Sequence, residues 1–308
     1  MGLRSVASSA LARLCFGAKA SEAQYGRPVR WAEAGNAVIA ETLATGEPCM
    51  VTRLGSSELG VLSYFVRWRS GAVKFPYPTA VRRAITVNAG FFPSDDRAID
   101  AFAAMYLEVL RDADVLGVWF NPGELAIVRD YCANAQLIEL TSLIGMLYDA
   151  PWSSQLAGKR LLVVHPFAET IRSQYTWNRK RLFADARVLP EFELQTITPP
   201  QTIGDNTCDF ATWFDALADT RERISALSYD VALIGAGAYG LPLAAFVKEQ
   251  GQQAVHVGGA TQLFFGIKGR RWEVESEDVV ALFNEYWVRP SAQEKPPGAK
   301  QIEGGCYW

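Results

Sequence analysis

Two hydrophobic periods take turns along this chain. Short, continuous, β-branched apolar runs alternate with longer stretches whose apolar positions recur every three or four residues. The first pattern predicts strands at Cys49–Leu54, Val115–Trp119, Gln136–Leu140, Lys159–Val164, Phe192–Ile197, Val231–Ile234 and Ala254–Val257. The second predicts helices over 31–45, Leu59–Arg69, Asp95–Asp112, Leu125–Cys132, 169–183, Phe210–Leu227 and Leu241–Gln250. Among the helices, Asp95–Asp112 carries the plainest signal: Ile99, Phe102, Ala103, Tyr106 and Leu110 share one face, and Ser94-Asp95-Asp96 supplies a start. Strands and helices alternating over most of the chain predict an α/β fold, a doubly wound and mostly parallel Rossmann-like sheet with helices on both faces. Three segments follow: an N-terminal helical segment over 1–45, the α/β domain over 46–289, and an extended arm over 290–308. The arm ends in Cys306-Tyr307-Trp308, and aromatic residues in that position predict that it docks back on the body.

The segment from Asp230 to Trp272 adds candidate chemistry to this pattern. After the strand Val231–Ile234, Gly235, Gly237 and Gly240 give G-x-G-x-x-G where a helix opens. Such a turn gathers backbone N–H groups at a helix N-terminus, where a phosphate can sit. It also serves as a tight turn that needs small residues for packing alone. A nicotinamide site would place an acidic residue at the end of the next strand. Here that strand ends in His256-Val257-Gly258-Gly259, with no Asp or Glu. Lys268, Arg270 and Arg271 follow, enough cationic charge to neutralise a diphosphate, or else a solvated basic turn.

Charge and composition narrow the partners. The chain has 308 residues, a net charge of −3 and 49% hydrophobic residues. It is globular in character and has no global attraction for nucleic acid, so any phosphate recognition is local. Nine Trp and eleven Tyr leave aromatic surface for stacking as well as for the core. Five scattered cysteines and two histidines offer no zinc spacing. No run is long and apolar enough for a membrane-spanning helix, and Arg13 interrupts the apolar stretch that a signal peptide would need. Met1–Ala20 does carry a helical apolar stripe flanked by Arg4, Arg13 and Lys19, which rests either on its own domain or on a membrane surface. A cytoplasmic protein, free or peripheral to a membrane, is expected.

Two further strand ends carry polar groups. Thr52-Arg53-Leu54-Gly55-Ser56-Ser57-Glu58 leaves a strand through a Gly/Ser turn and opens a helix. This puts Glu58 at the carboxyl edge of the sheet, as a base or metal ligand or simply as a first-turn glutamate. His165-Pro166-Phe167, with Arg172 downstream, leaves another strand for the same edge and is a candidate acceptor contact.

Together these segments resemble the GT-D-type glycosyltransferases, which transfer sugar from a nucleotide-diphosphate sugar. That family carries an R-F-G-D-G-E motif after its first strand, and Arg53-Leu54-Gly55-Ser56-Ser57-Glu58 is similar to it. Leu233-Ile234-Gly235-Ala236-Gly237 with His256-Val257-Gly258-Gly259 looks like the family's C-terminal glycine unit. The resemblance implies transfer to a glycan or lipid-linked glycan in surface polysaccharide assembly. Glu58 would be the catalytic carboxylate and a ligand to Mn²⁺ or Mg²⁺, with no organic cofactor. The nucleotide diphosphate would lie against Arg53, Gly55, Ser56, Gly235, Gly237, Tyr239, Gly240, His256, Gly258, Gly259, Lys268, Arg270 and Arg271. His165 and Arg172 would face the acceptor.

One departure matters chemically: the family's motif aspartate is Ser56 here. Either a residue distant in sequence joins Glu58 on the metal, or cations such as Lys268, Arg270 and Arg271 stabilise the leaving diphosphate. Two other readings stay open, a non-catalytic nucleotide- or glycan-binding Rossmann-like protein and an NAD(P)-binding oxidoreductase.

Overall fold

The computed structural model describes residues 25–308. The apolar stripe of Met1–Ala20 lies outside the described residues. In chain order the main elements are β1 (Val29–Arg30), α1 (Ala32–Ala44), β2 (Cys49–Arg53), α2 (Ser56–Arg69), α3 (Thr79–Arg83), α4 (Asp96–Val109), β3 (Val115–Val118), α5 (Glu124–Tyr131) and β4 (Gln136–Glu139). The second half continues with β5 (Arg160–Val164), α6 (Ala168–Leu182), β6 (Glu193–Ile197), α7 (Trp213–Ser225), β7 (Val231–Ile234), α8 (Gly240–Glu249), β8 (Gln253–His256), α9 (Arg270–Glu275) and α10 (Glu277–Val280). The eight strands form one sheet in the order β1-β4-β3-β2-β8-β7-β5-β6, parallel throughout. The fold is therefore a Rossmann-like α/β fold.

Side chains alternate across the sheet and build two cores. Met50, Leu116, Leu137, Leu162, Ala232 and Ala254 face α2, α4, α5, α7 and α8. Cys49, Val51, Val115, Ile138, Val163, Leu233 and Val255 face α1, α6 and the segment after β8. Burial on both faces explains why the strands read as unbroken apolar runs. The helix α4 buries Ile99, Phe102, Ala103, Tyr106 and Leu107, and the Asp95 side chain caps it by accepting from Ala98 N at 3.0 Å. At α7, Thr212 and Asp215 form a reciprocal capping box.

Two details depart from the pattern-based expectation. Residues 29–44, expected in a separate N-terminal helical segment, pack with the sheet: β1 pairs with β4 and α1 packs into the second core. β1 is two residues long, too short to leave a period in the sequence. Residues 258–265, expected only as a glycine turn and an apolar anchor, wind into a 3₁₀ helix that buries Leu263, Phe264 and Phe265. The arm after Pro290 packs on the body through short 3₁₀ turns at Ala292–Glu294 and Ala299–Gln301. None of the helices among the described residues is long and apolar enough to cross a membrane.

Candidate functional site

Adjacent strands whose onward connections leave on opposite faces open a crevice at the carboxyl edge of the sheet. Here β2 and β7 lead to α2 and α8 on one face, while β5 leads to α6 and β8 to the 3₁₀ segment on the other. The crevice is a cavity of about 1210 Å³, walled by Arg53–Glu58 after β2, Trp119 and Asn121 after β3, and Glu139–Thr141 after β4. His165–Phe167 after β5, Gly235–Gly237 after β7 and His256–Ala260 after β8 complete that edge. Tyr307 and Trp308 close it from the C-terminal arm.

At the β2 turn, Glu58 is the third residue of α2 and only 7% exposed. Its carboxylate folds back over the helix start, and a Cβ on Gly55 would lie 1.8 Å from Glu58 Oε2. Glycine at 55 is what lets the carboxylate occupy that place. Burial raises the Glu58 pKa, and the positive charge of Arg53 works against the shift. Arg53 is held by Nη2 donating to Leu54 O at 2.9 Å and by its guanidinium lying 4.9 Å from the Trp119 ring centroid. Burial in turn lowers the Arg53 pKa, with Glu58 opposing.

The two histidines are buried and neutral. Burial lowers His165 to about 3, and burial with the nearby Arg53 charge does the same for His256. The Phe167 N–H donates to His165 Nδ1 at 3.0 Å, so the neutral ring carries its proton on Nε2. His256 Nδ1 shares a 2.9 Å hydrogen bond with Thr52 Oγ1. Its Nε2 would stand 2.2 Å from a Cβ on Gly240, so Gly240 serves to admit His256.

The glycine turns meet one another. A Cβ on Gly235 would lie 2.6 Å from Gly258 O, and Gly258 itself has φ +75° with Arg53 Nη1 2.8 Å from its Cβ position. Within the β7 turn, Gly235 N donates to Val164 O, Ala238 N to Ala89 O and Tyr239 N to Ala236 O. Those amides are spent inside the protein, while Ala236 and Gly237 remain in the cavity wall. Tyr239, also in the wall, stacks on Trp213 at 5.0 Å between centroids.

The structure thus gathers Arg53, Gly55, Ser56, Glu58, His165, Gly235, Gly237, Tyr239, His256, Gly258, Gly259 and Arg271 around one cavity. It does not bring Lys268, Arg270, Arg172 or Gly240 to the wall. Lys268 Nζ lies 5.4 Å over the Phe283 ring, and exposed Arg270 donates through Nη1 to Gly304 O at 3.1 Å. Exposed Arg172 pairs with Glu169 on α6. The N-terminus of α6 is itself occupied by the arm: Glu169 N and Thr170 N donate to Glu294 Oε1 at 2.9 and 3.1 Å. Arg271 reaches the cavity with its guanidinium 5.0 Å from the Tyr307 ring and paired to Glu303. Tyr307 lies so close to Gly259 that a Cβ there would be 2.3 Å from its ring.

Sequence reasoning missed several wall residues. Trp119, Asn121, Gln201 and Glu139 follow strands or loops with no motif around them, and only the ends of β3 and β4 hinted at their place. Their chemistry is informative. Arg53 Nε, Trp119 Nε1, Asn121 Nδ2 and Gln201 Nε2 are buried donors without a hydrogen-bond partner among the described residues, and all four belong to wall residues. Buried donors are nearly always paired, by protein or by water, so these four are groups that acceptor oxygens in the cavity would satisfy; Trp213 Nε1 and Arg221 Nε are unpaired too, away from the wall. Gln262 Oε1 is an unpaired acceptor in the same wall.

A hard divalent cation asks for several oxygen ligands. Among the described residues no three His, Cys, Asp or Glu side chains gather into such a set. Glu58 brings one carboxylate, and the neighbouring charge is the Arg53 guanidinium. That donor set does not fit Mn²⁺ or Mg²⁺ held by side chains alone.

No family model matches the chain, and no curated protein matches it. One solved structure, the selenomethionine-substituted structure of a domain of unknown function, DUF1792, is similar to it with a TM-score of 0.47 and 11% sequence identity. The similarity covers 86% of this chain and 92% of that one.

Proposed function

We propose that the chain is a glycosyltransferase that moves a sugar from a nucleotide-diphosphate sugar to a hydroxyl of a glycan or lipid-linked glycan. The observation that carries this reading is the set of orphaned donors of Arg53, Trp119, Asn121 and Gln201 around a cavity that also holds one buried carboxylate. A nucleotide-diphosphate sugar is rich in acceptor oxygens, and a cavity of about 1210 Å³ has room for it.

In this reading the diphosphate lies between the two glycine turns, against Arg53 and Arg271. Fixed cations aimed at a departing diphosphate stabilise the charge that develops there and lower the barrier. Arg53 suits the task because Trp119 and Leu54 O hold it before any ligand arrives. In a direct displacement the acceptor oxygen bonds to the anomeric carbon as the bond to the diphosphate breaks. The bonding pair leaves with the nucleoside diphosphate, and the acceptor proton passes to Glu58. A carboxylate whose pKa burial has raised is a stronger base than an exposed one, which favours that transfer. His165 and His256, neutral across the working range, orient and donate rather than supply charge. The arginines take the charge-balancing role that the single carboxylate leaves unfilled, so transfer is expected without an added divalent cation.

The test is a transfer and hydrolysis assay over a panel of nucleotide-diphosphate sugars, run with the wild type and Glu58→Gln. Turnover of one donor that collapses in the variant is the expected result. Equal turnover in both would remove Glu58 from the mechanism.

A further inference from the structure

Between Glu58 and Asp95 the sequence has no acidic residue, while Arg67, Arg69, Lys74, Arg82 and Arg83 fall in that stretch. The structure turns this imbalance into a surface. Gly71 N and Ala72 N donate to Trp68 O and Arg67 O at 2.9 and 2.8 Å, which folds the loop after α2 back along the helix. Tyr64 Oη fastens it further by donating to Lys74 O and Pro76 O. The fold-back lines up a chain of rings. Phe65 and Trp68 are 6.1 Å apart, Trp68 and Phe75 5.3 Å, and Phe75 and Tyr77 6.4 Å.

Phe75 at the tip is 46% exposed, and Arg67, Arg69 and Lys74 around it are exposed too. The Arg69 guanidinium sits 5.9 Å from the Trp68 ring and 6.0 Å from that of Phe65. Arg82 is committed to Asp96. Arg67, Arg69, Lys74 and Arg83 form no ion pair among the described residues.

We propose that this patch is a docking surface for anionic lipid headgroups. An exposed aromatic tip beside unpaired cations is what the boundary of a lipid bilayer accepts: Phe75 enters the headgroup zone, backed by the partly buried Trp68 and the buried Tyr77, and the cations meet lipid phosphates. A neutral glycan would give the rings a stacking partner but leave the cations without counter-charge, so the charge favours the membrane. The segment that carries the patch also supplies cavity wall, but away from the patch: Ser56–Glu58 stand at the opposite end of α2 and Asn88-Ala89 follow α3. The proposal stands apart from the catalytic reading, since its measured quantity is lipid binding and not turnover.

The experiment is co-sedimentation of the full chain with vesicles of phosphatidylcholine alone or mixed with phosphatidylglycerol. The wild type should sediment with the mixed vesicles and not with the neutral ones. Each cation contributes about fivefold to partitioning, so Arg67→Gln/Arg69→Gln/Lys74→Gln should weaken it by about 100-fold. Phe75→Ser should weaken it further on the same vesicles. These changes are at exposed side chains, and an unchanged thermal midpoint establishes that the variants are folded. Three results overturn the proposal: no sedimentation of the wild type with anionic vesicles, undiminished sedimentation of the triple variant, or capture by a soluble acidic polysaccharide while vesicles are ignored.

Discussion

Arg53 and Arg270 are both arginines near a glycine at a helix start, yet only one belongs to the cavity. Arg53 ends β2, is pinned between Leu54 O and the Trp119 ring, and stands beside Glu58. Arg270 belongs to the densest run of cations in its region, and its guanidinium is spent on Gly304 O at the surface. The difference teaches that charge density along the sequence does not place charge in space. Strand register does. A residue at the end of a central parallel strand is delivered to the crevice, whereas one far beyond a strand end, as Arg270 is beyond His256, is placed by whatever packs there. Arg271, one residue further, reaches the cavity wall, where the C-terminal Tyr307 and Glu303 meet its guanidinium.

The sharpest way to break this comparison is at Glu58. Glu58→Gln should lower transfer by about 10²–10⁴-fold, the usual range for losing a general base, with donor binding little changed. The same variant has a stability signature whose sign follows from burial. In the folded protein the Glu58 pKa is raised above its ordinary value of 4.5, so ionising it costs stability as pH rises through and beyond that value. Thermal midpoints of Glu58→Gln should therefore exceed those of the wild type on the alkaline side, with the gap closing towards pH 4.5. A deficit on the alkaline side would mean that the pair with Arg53 outweighs burial.

Next in size is Arg53→Met, for which donor affinity should fall by about 10–100-fold, as for a buried charge-assisted contact. Arg271→Met should cost about tenfold or less, since Glu303 and Tyr307 already share its guanidinium. Lys268→Met and Arg270→Met should stay within about twofold, because neither reaches the wall. Equal losses across all four would erase the distinction between register and density.

The histidines give the smallest effect near neutrality and a growing one in acid. Both are held neutral in the fold with pKa values lowered to about 3, against an ordinary 6.5. The unfolded chain takes up protons there first, so stability should fall as pH drops from about 6.5 towards 3. Replacing either ring with Gln should flatten that slope by one proton in a plot of unfolding free energy against pH.

Much of the fold was legible because both faces of the sheet are covered. Val231–Ile234 and Leu161–Val164, within the expected strand Lys159–Val164, read as continuous apolar runs, and the capped, periodic α4 read as a helix. β1 was invisible because two residues carry no period. The strand-end candidates Glu58, His165, Gly235 and Gly258 were legible for the same reason that the strands were. Gly240, expected against the diphosphate, does not line the cavity, and its small size admits His256. Trp119, Asn121 and Gln201 were hidden: what marks them is an unpaired buried donor, a property that exists only once the chain has folded.

The central claim is that fixed arginine charge, led by Arg53, holds a nucleotide diphosphate in this cavity. Calorimetric titration of nucleoside diphosphates and their sugars, in chelator and again in Mn²⁺, tests it directly. One base should bind in both conditions, and Arg53→Met should lose it. Binding that appears only with Mn²⁺ and survives Arg53→Met, or no binding by any nucleotide, would contradict it.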